Sequence, residues 1–114
     1  MPAPRPGRPV RGSDTGRPEM ALFDLLGRRW ALRVVWELSQ ETLSFRALRE
    51  RCDSMSTSVL NERLSELREA QIVELRPDGY RLTREGQALL RDLQPLKRWA
   101  RRWAARAGSP AARD

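Results

Sequence analysis

Residues 54–70, SMSTSVLNERLSELREA, constrain the chain more than any other stretch. Leu60, Leu64 and Leu67 recur at i, i+4 and i+7, with Val59 and Ala70 flanking them. One side of a helix about four turns long must therefore be buried. At roughly 100° per residue, the opposite side carries Ser58, Asn61, Glu62 and Ser65, which are polar and free to meet a partner. Ser56 stands just ahead of the first apolar residue, where a hydroxyl can accept from the free amides of a helix start. Such a helix suits many cores, so its neighbours decide what it is for.

Ahead of it, residues 45–51 form a short helix that turns Phe45 and Leu48 inward and displays Arg46, Arg49 and Arg51. Ser44 can cap this helix, and Asp53-Ser54 make the turn that follows. Two helices joined by a few polar residues make a helix-turn-helix. Behind it, residues 72–76 alternate apolar and charged side chains as a half-buried strand does. Pro77-Asp78-Gly79 is a turn, and residues 80–82 return as a second strand. This hairpin is a small wing with Arg76 and Arg81 near its tip, and the short extended piece at 42–45 is a candidate third strand.

The flanks supply the scaffold. Pro18 opens a first helix containing Met20, Leu22, Phe23, Leu25 and Leu26, apolar on more than one side and ended by Gly27. Residues 28–40 then read as the central beam, with Trp30, Leu32, Val34, Val35, Trp36 and Leu38, and both tryptophans belong to core or interface. Thr83 caps a last helix in which Leu89, Leu93, Leu96, Ala100, Trp103 and Ala107 follow the 4-3-4-3-4 seam of a helix-packing face. Pro95 should kink or split it, and Gly108 and Pro110 should end it. So long a stripe exceeds what a small body can cover, and a second copy of the chain is the simplest cover. The expected dimer face is Leu22, Phe23 and Leu26 with Leu93, Leu96, Trp99, Ala100 and Trp103.

Composition narrows the function. The 114 residues suffice for one domain, taken as residues 18–107 between disordered tails at 1–17 and 108–114. The formal charge of +7 invites a nucleic-acid reading, yet residues 1–18 carry +3 and residues 95–114 carry +5, leaving −1 for the middle. The first tail is either a basic arm that tracks phosphates or an unselected leader. No apolar run approaches the roughly 20 residues that span a bilayer, so the expected location is the cytoplasm, with no membrane partner. With one cysteine there is no intramolecular disulfide. Cys52 is either a thiol activated near a helix start or a small buried apolar residue. Without histidine or a glycine-rich phosphate loop, neither catalysis nor a metal or other cofactor is expected.

Binding to double-stranded DNA has the better mechanical case, because a helix of this size fits the major groove. Asn61 could pair with adenine and Glu62 could accept from cytosine, with Thr57, Ser58 and Ser65 reaching bases or bridging water. Phosphate grip would fall to Ser44, Arg46, Arg49, Ser56, Arg63, Arg68, Arg76 and Arg81, the alternative being ordinary solvated charges paired with nearby Glu. Glu66 and Glu69 would repel phosphate unless the helix end tilts away.

Residues 22–103 resemble the HxlR-type winged helix-turn-helix regulators, a bacterial family of dimeric DNA-binding proteins within the wider MarR-like group. The resemblance rests on Gly27-Arg28-Arg29-Trp30 with Leu32, Val35 and Leu38. It continues through Ser44-Phe45 with Leu48, then Met55-Ser56-Thr57-Ser58-Val59-Leu60 with Arg63, Leu64 and Leu67. Tyr80-Arg81-Leu82-Thr83-Arg84-Glu85-Gly86 and Trp99 complete it. The chain departs from the family pattern in lacking a Cys ahead of the first helix, so redox sensing there is not carried over. It also has Ser44 in place of Arg, Gln71 in place of Gly, and a shorter wing. The resemblance implies a mainly α fold with a two- or three-stranded wing, dimerising through its first and last helices. It further implies a homodimeric regulator, acting as a repressor, on a pseudo-palindromic operator. The rival reading is a winged-helix module that binds another protein instead of DNA. A small-molecule effector held between the long helix and the beam is compatible with the first.

Overall fold

The computed structural model describes residues 3–10 and 16–108. In chain order the elements are α1 (Pro18–Leu26), α2 (Ala31–Gln40), α3 (Phe45–Arg51), α4 (Thr57–Glu69), β1 (Val73–Arg76), β2 (Gly79–Leu82) and α5 (Arg84–Arg106). Local chemistry fixes most of the starts. Pro18 occupies the first turn of α1, where its missing N–H costs nothing. The Ser44, Ser56 and Thr83 hydroxyls accept from the amides of Ala47, Val59 and Gly86 at 3.1, 3.4 and 3.0 Å, capping α3, α4 and α5.

β1 and β2 pair antiparallel, with Val73 opposite Leu82 and Arg76 opposite Gly79, so Pro77 and Asp78 alone make the turn. Leu43 adds a one-residue third strand by exchanging two backbone hydrogen bonds with Tyr80, at 3.0 and 2.8 Å. Gly79 is required there. Its φ is +133°, and a Cβ would lie 2.6 Å from the Leu43 carbonyl oxygen. Gly86 plays the same part at the base of the wing, where a Cβ would run into the Ile72 carbonyl.

The core gathers Val34, Val35 and Leu38 from α2, Leu48 from α3, Leu60, Leu64 and Leu67 from α4, and Ile72, Val73 and Leu82 around the wing. The three leucines of α4 are fully or almost fully buried. Each contributes about 2 kcal/mol of apolar burial. This stripe faces the core as its spacing predicts.

A buried ionic cluster holds α4 from the other side. The Arg28 guanidinium, in the turn between α1 and α2, pairs with Asp24 of α1 at 3.4 Å and with Glu66 of α4 at 2.7 Å. The side chains of all three are no more than 8% exposed. The second Glu66 oxygen accepts from Arg63 Nη1 at 2.9 Å, and Arg63 Nε donates to the Arg29 carbonyl at 2.6 Å. Glu66 thus has both oxygens engaged, which is what a buried carboxylate requires.

Several expectations are revised. The beam begins at Ala31 rather than residue 28, because residues 27–30 turn to seat Arg28, with Trp30 at φ +75°. Trp36 and Leu32 are exposed on α2 rather than in this subunit's core, while Trp30 does pack against it. α5 is neither split nor interrupted at Pro95, since a proline removes one amide donor and the flanking turns carry the helix through. Within the leading segment, Ala3 and Arg5 lie against the end of α4. Ala3 is buried, and Arg5 pairs with Glu69. The expected end at Pro110 lies outside the described residues, as do residues 1–2, 11–15 and most of the final tail.

Removing Glu66 leaves Arg28 and Arg63 short of their shared acceptor. Glu66→Ala is expected to lower unfolding stability by about 3 kcal/mol, read as a reduced urea midpoint with unchanged slope.

Candidate nucleic-acid interface

The angle at which α4 leaves α3 is set by a strained turn and two arginines. Asp53 and Ser54 sit at φ +58° and +55°, a left-handed pair in which neither residue is glycine. Arg49 holds this turn by donating from Nε to the Met55 carbonyl at 2.7 Å and from Nη2 to the Ser54 carbonyl at 3.4 Å. Arg33 of α2 donates to the Arg51 carbonyl at 2.7 Å and lies 3.7 Å from the Asp53 carboxylate. Beneath the turn Cys52 is fully buried, and burial pushes its thiol above the ordinary range despite the opposing pull of Arg33. The side chain serves as a small apolar filler.

On the outward side of α4 the five expected base-facing residues, Thr57, Ser58, Asn61, Glu62 and Ser65, are all exposed. The Ser58 hydroxyl lies 3.0 Å from that of the capping Ser56. Arg68 is exposed on the same helix, one turn from Ser65. Arg46 projects from α3 with 91% of its side chain in solvent, beside Glu50 at 3.5 Å. Arg76 and Arg81 stand on the wing, both beside Glu74, at 3.9 and 2.9 Å.

The expected phosphate set divides accordingly. Ser44 and Ser56 are helix caps with exposed hydroxyl-bearing residues, and Arg46, Arg68, Arg76 and Arg81 point outward. Arg49 and Arg63 differ in that their guanidiniums are engaged within the fold, by the turn carbonyls and by Glu66 with the Arg29 carbonyl respectively. Glu66 is likewise no threat to phosphate, being turned inward, and Glu69 is engaged by Arg5. Arg28 joins α1 to α4 through buried ion pairs, a role that spacing alone does not assign to it. The only signal was its place in Gly27-Arg28-Arg29-Trp30.

Exposed apolar side chains also stand on the first and last helices. Phe23, Leu96 and Trp103 are each close to 60% exposed, and the Trp99 and Trp103 rings stack with centroids 5.6 Å apart. Leu22, Leu26 and Leu93 are half-buried, and Ala100 is exposed. Between α2 and α5 runs an apolar groove of about 360 Å³ lined by Leu32, Val35, Trp36, Leu90, Leu93 and Leu96. Lys97 lies over the Trp36 ring at its edge, 5.2 Å from the centroid. Among the described residues no cluster of three or more metal-ligating side chains occurs, and no helix is long and apolar enough to cross a membrane.

Known proteins share this arrangement. The HxlR-like helix-turn-helix family model matches residues 25–107. The HTH-type transcriptional regulator YodB of Bacillus subtilis is 34% identical over 85 residues, spanning 68% of this chain and 76% of YodB. YvaP of the same organism, described as an uncharacterised HTH-type transcriptional regulator, is 31% identical over 87 residues, 70% of this chain and 81% of YvaP. The crystal structure of quinone-bound YodB superposes with a TM-score of 0.68 at 36% identity, covering 73% of this chain and 96% of that one. A possible HxlR family transcriptional factor from Thermoplasma volcanium shares the fold, with a TM-score of 0.65 at 24% identity over 73% of this chain and 81% of that one. Winged helix-turn-helix geometry and a family match running from the end of α1 past the end of α5 agree, and the chain belongs to the HxlR-like helix-turn-helix family of transcriptional regulators.

Proposed function

We propose that this chain is a sequence-specific regulator of transcription, acting without enzymatic activity as a cytoplasmic homodimer that represses from a pseudo-palindromic operator. The observation that carries the reading is the outward face of α4. Thr57, Ser58, Asn61, Glu62 and Ser65 are all exposed on a helix whose opposite side is fixed by leucines and a buried carboxylate. A rigid helix with an uncommitted polar face is what reading base edges in a major groove requires. In this reading Asn61 pairs with adenine and Glu62 with cytosine. Arg46 on α3, Arg68 on α4, and Arg76 and Arg81 on the wing hold phosphates, helped by the Ser44 and Ser56 hydroxyls.

Two-fold assembly is supported by the apolar surface that one subunit leaves in solvent. Phe23 of α1 and Leu96, Trp99 and Trp103 of α5 are all large and exposed. Leaving them wet forgoes several kcal/mol of burial at about 25 cal/mol per Å². The neighbouring Leu22, Leu26, Leu93 and Ala100 complete the face. A small-molecule effector is compatible with the α2–α5 groove, and the relative YodB has been crystallised with quinone bound.

A mobility-shift assay on genomic fragments at two salt concentrations tests the reading. Specific retardation that survives the higher salt supports it, whereas weak binding wholly abolished by salt favours a protein partner instead. Asn61→Ala should lower the ratio of specific to non-specific affinity by about ten-fold, and an unchanged sequence preference would remove it as a base reader. Arg46→Ala should weaken binding to all sequences alike and reduce the salt slope by about one. Sedimentation equilibrium should find dimers, and Trp103→Ala should shift the population toward single subunits. A wild-type protein sedimenting as a lone subunit would refute the two-fold arrangement.

A further inference from the structure

The segment ahead of α1 lies outside the matched family region, which begins at residue 25, yet it reaches back to the far end of α4. Arg5 Nη2 lies 2.6 Å from Glu69 Oε1, and the Ala3 amide donates to Glu69 Oε2 at 3.3 Å. Both oxygens of one carboxylate are therefore taken by a segment more than sixty residues away in sequence. Ala3 is only 7% exposed, so the segment is seated on the domain. Its far end is tied down where the Gly7 amide donates to the Gly16 carbonyl at 2.7 Å.

Glu69 occupies a sensitive place. It lies four residues beyond Ser65 and eleven beyond Ser58, so at about 100° per residue it continues the outward stripe of α4. It also ends the helix, where the backbone dipole disfavours a negative charge. The Arg5 guanidinium, helped by the Ala3 amide, holds its carboxyl below the usual carboxylate range. Unpartnered, this carboxylate would turn a full negative charge toward any phosphate lying along the helix.

We propose that residues 3–10 form a built-in electrostatic cover for the recognition helix, in which Arg5 neutralises Glu69 and thereby raises affinity for duplex DNA. Arg5 acts through Glu69 and is a positioning residue; it need not touch DNA. The proposal rests on the DNA-binding reading and deepens it by giving a segment outside the family match a role in the same surface.

A two-by-two set of full-length proteins tests it: wild type, Arg5→Ala, Glu69→Gln and the double variant. The readout is fluorescence anisotropy with a labelled 30-base-pair duplex of random sequence, at about 50 and 150 mM NaCl, where phosphate contacts dominate. Arg5→Ala should weaken binding by about three- to ten-fold, Glu69→Gln alone should change it little, and the double variant should bind like wild type. Amide hydrogen exchange over residues 3–8 should quicken in Glu69→Gln, reporting loss of the seat without reference to DNA. If Arg5→Ala weakens binding equally whether residue 69 is Glu or Gln, Arg5 is an ordinary phosphate ligand and the cover is refuted. If Glu69→Gln alone tightens binding, Glu69 competes with DNA for the arm, and the cover is again refuted. Equal binding by wild type and Arg5→Ala overturns the arm's role while leaving the DNA reading intact, whereas no binding by any of the four overturns both.

Discussion

The setting of α4 on the rest of the molecule depends on one guanidinium. Arg28 sits in the turn between α1 and α2 and pairs with an acid from α1 and an acid from α4, all three side chains nearly dry. Arg63 then ties Glu66 to the same turn through the Arg29 carbonyl. Leucine packing alone would let α4 roll or slide by small amounts at little cost, because apolar contact has no preferred direction. Charged hydrogen bonds are directional, and a buried carboxylate with both oxygens occupied tolerates little displacement. The cluster therefore orients what the hydrophobic core merely holds. It also links α1, which carries part of the exposed apolar face, to the helix with the exposed polar face.

The turn between α3 and α4 shows the same division of labour. Two consecutive left-handed residues would be expensive if left to local preference. Arg49 from one side and Arg33 from the other accept that cost by bonding the carbonyls the turn exposes. Gln71, also left-handed at φ +64°, closes the opposite end of α4 where the family pattern has glycine. Both ends of the helix are thus defined by backbone geometry that surrounding side chains enforce.

Much of this was legible in the chain. The bounds of α3, the caps Ser44, Ser56 and Thr83, the inner stripe of α4 and the turn at Pro77-Asp78-Gly79 follow from periodicity and local chemistry, which act over a few residues. The arginines were not legible in the same way. Arg46 and Arg63 look alike in sequence, each an arginine on a polar helix, but one is in water and the other is locked to a carbonyl 34 positions away. Partners so distant leave no periodic trace. Trp36 illustrates a related point: apolar character says a side chain is to be buried, without saying whether by its own fold or by another surface. The contact of Arg5 with Glu69 likewise spans 64 positions, and the composition of the leading segment carries no trace of it.

The outward stripe of α4 has a consequence for how such a protein can change over generations. Thr57, Asn61 and Ser65 are solvent-exposed, and the fold makes no visible use of their side chains. Surface substitutions of this sort usually shift stability by no more than about 0.5 kcal/mol. Mutational drift there meets almost no folding penalty, while change in the inner leucines or the Arg28 cluster carries a cost to stability. Under the proposed function, new target preferences can be sampled on an unchanged chassis, which gives duplicated copies a short path to divergent regulons.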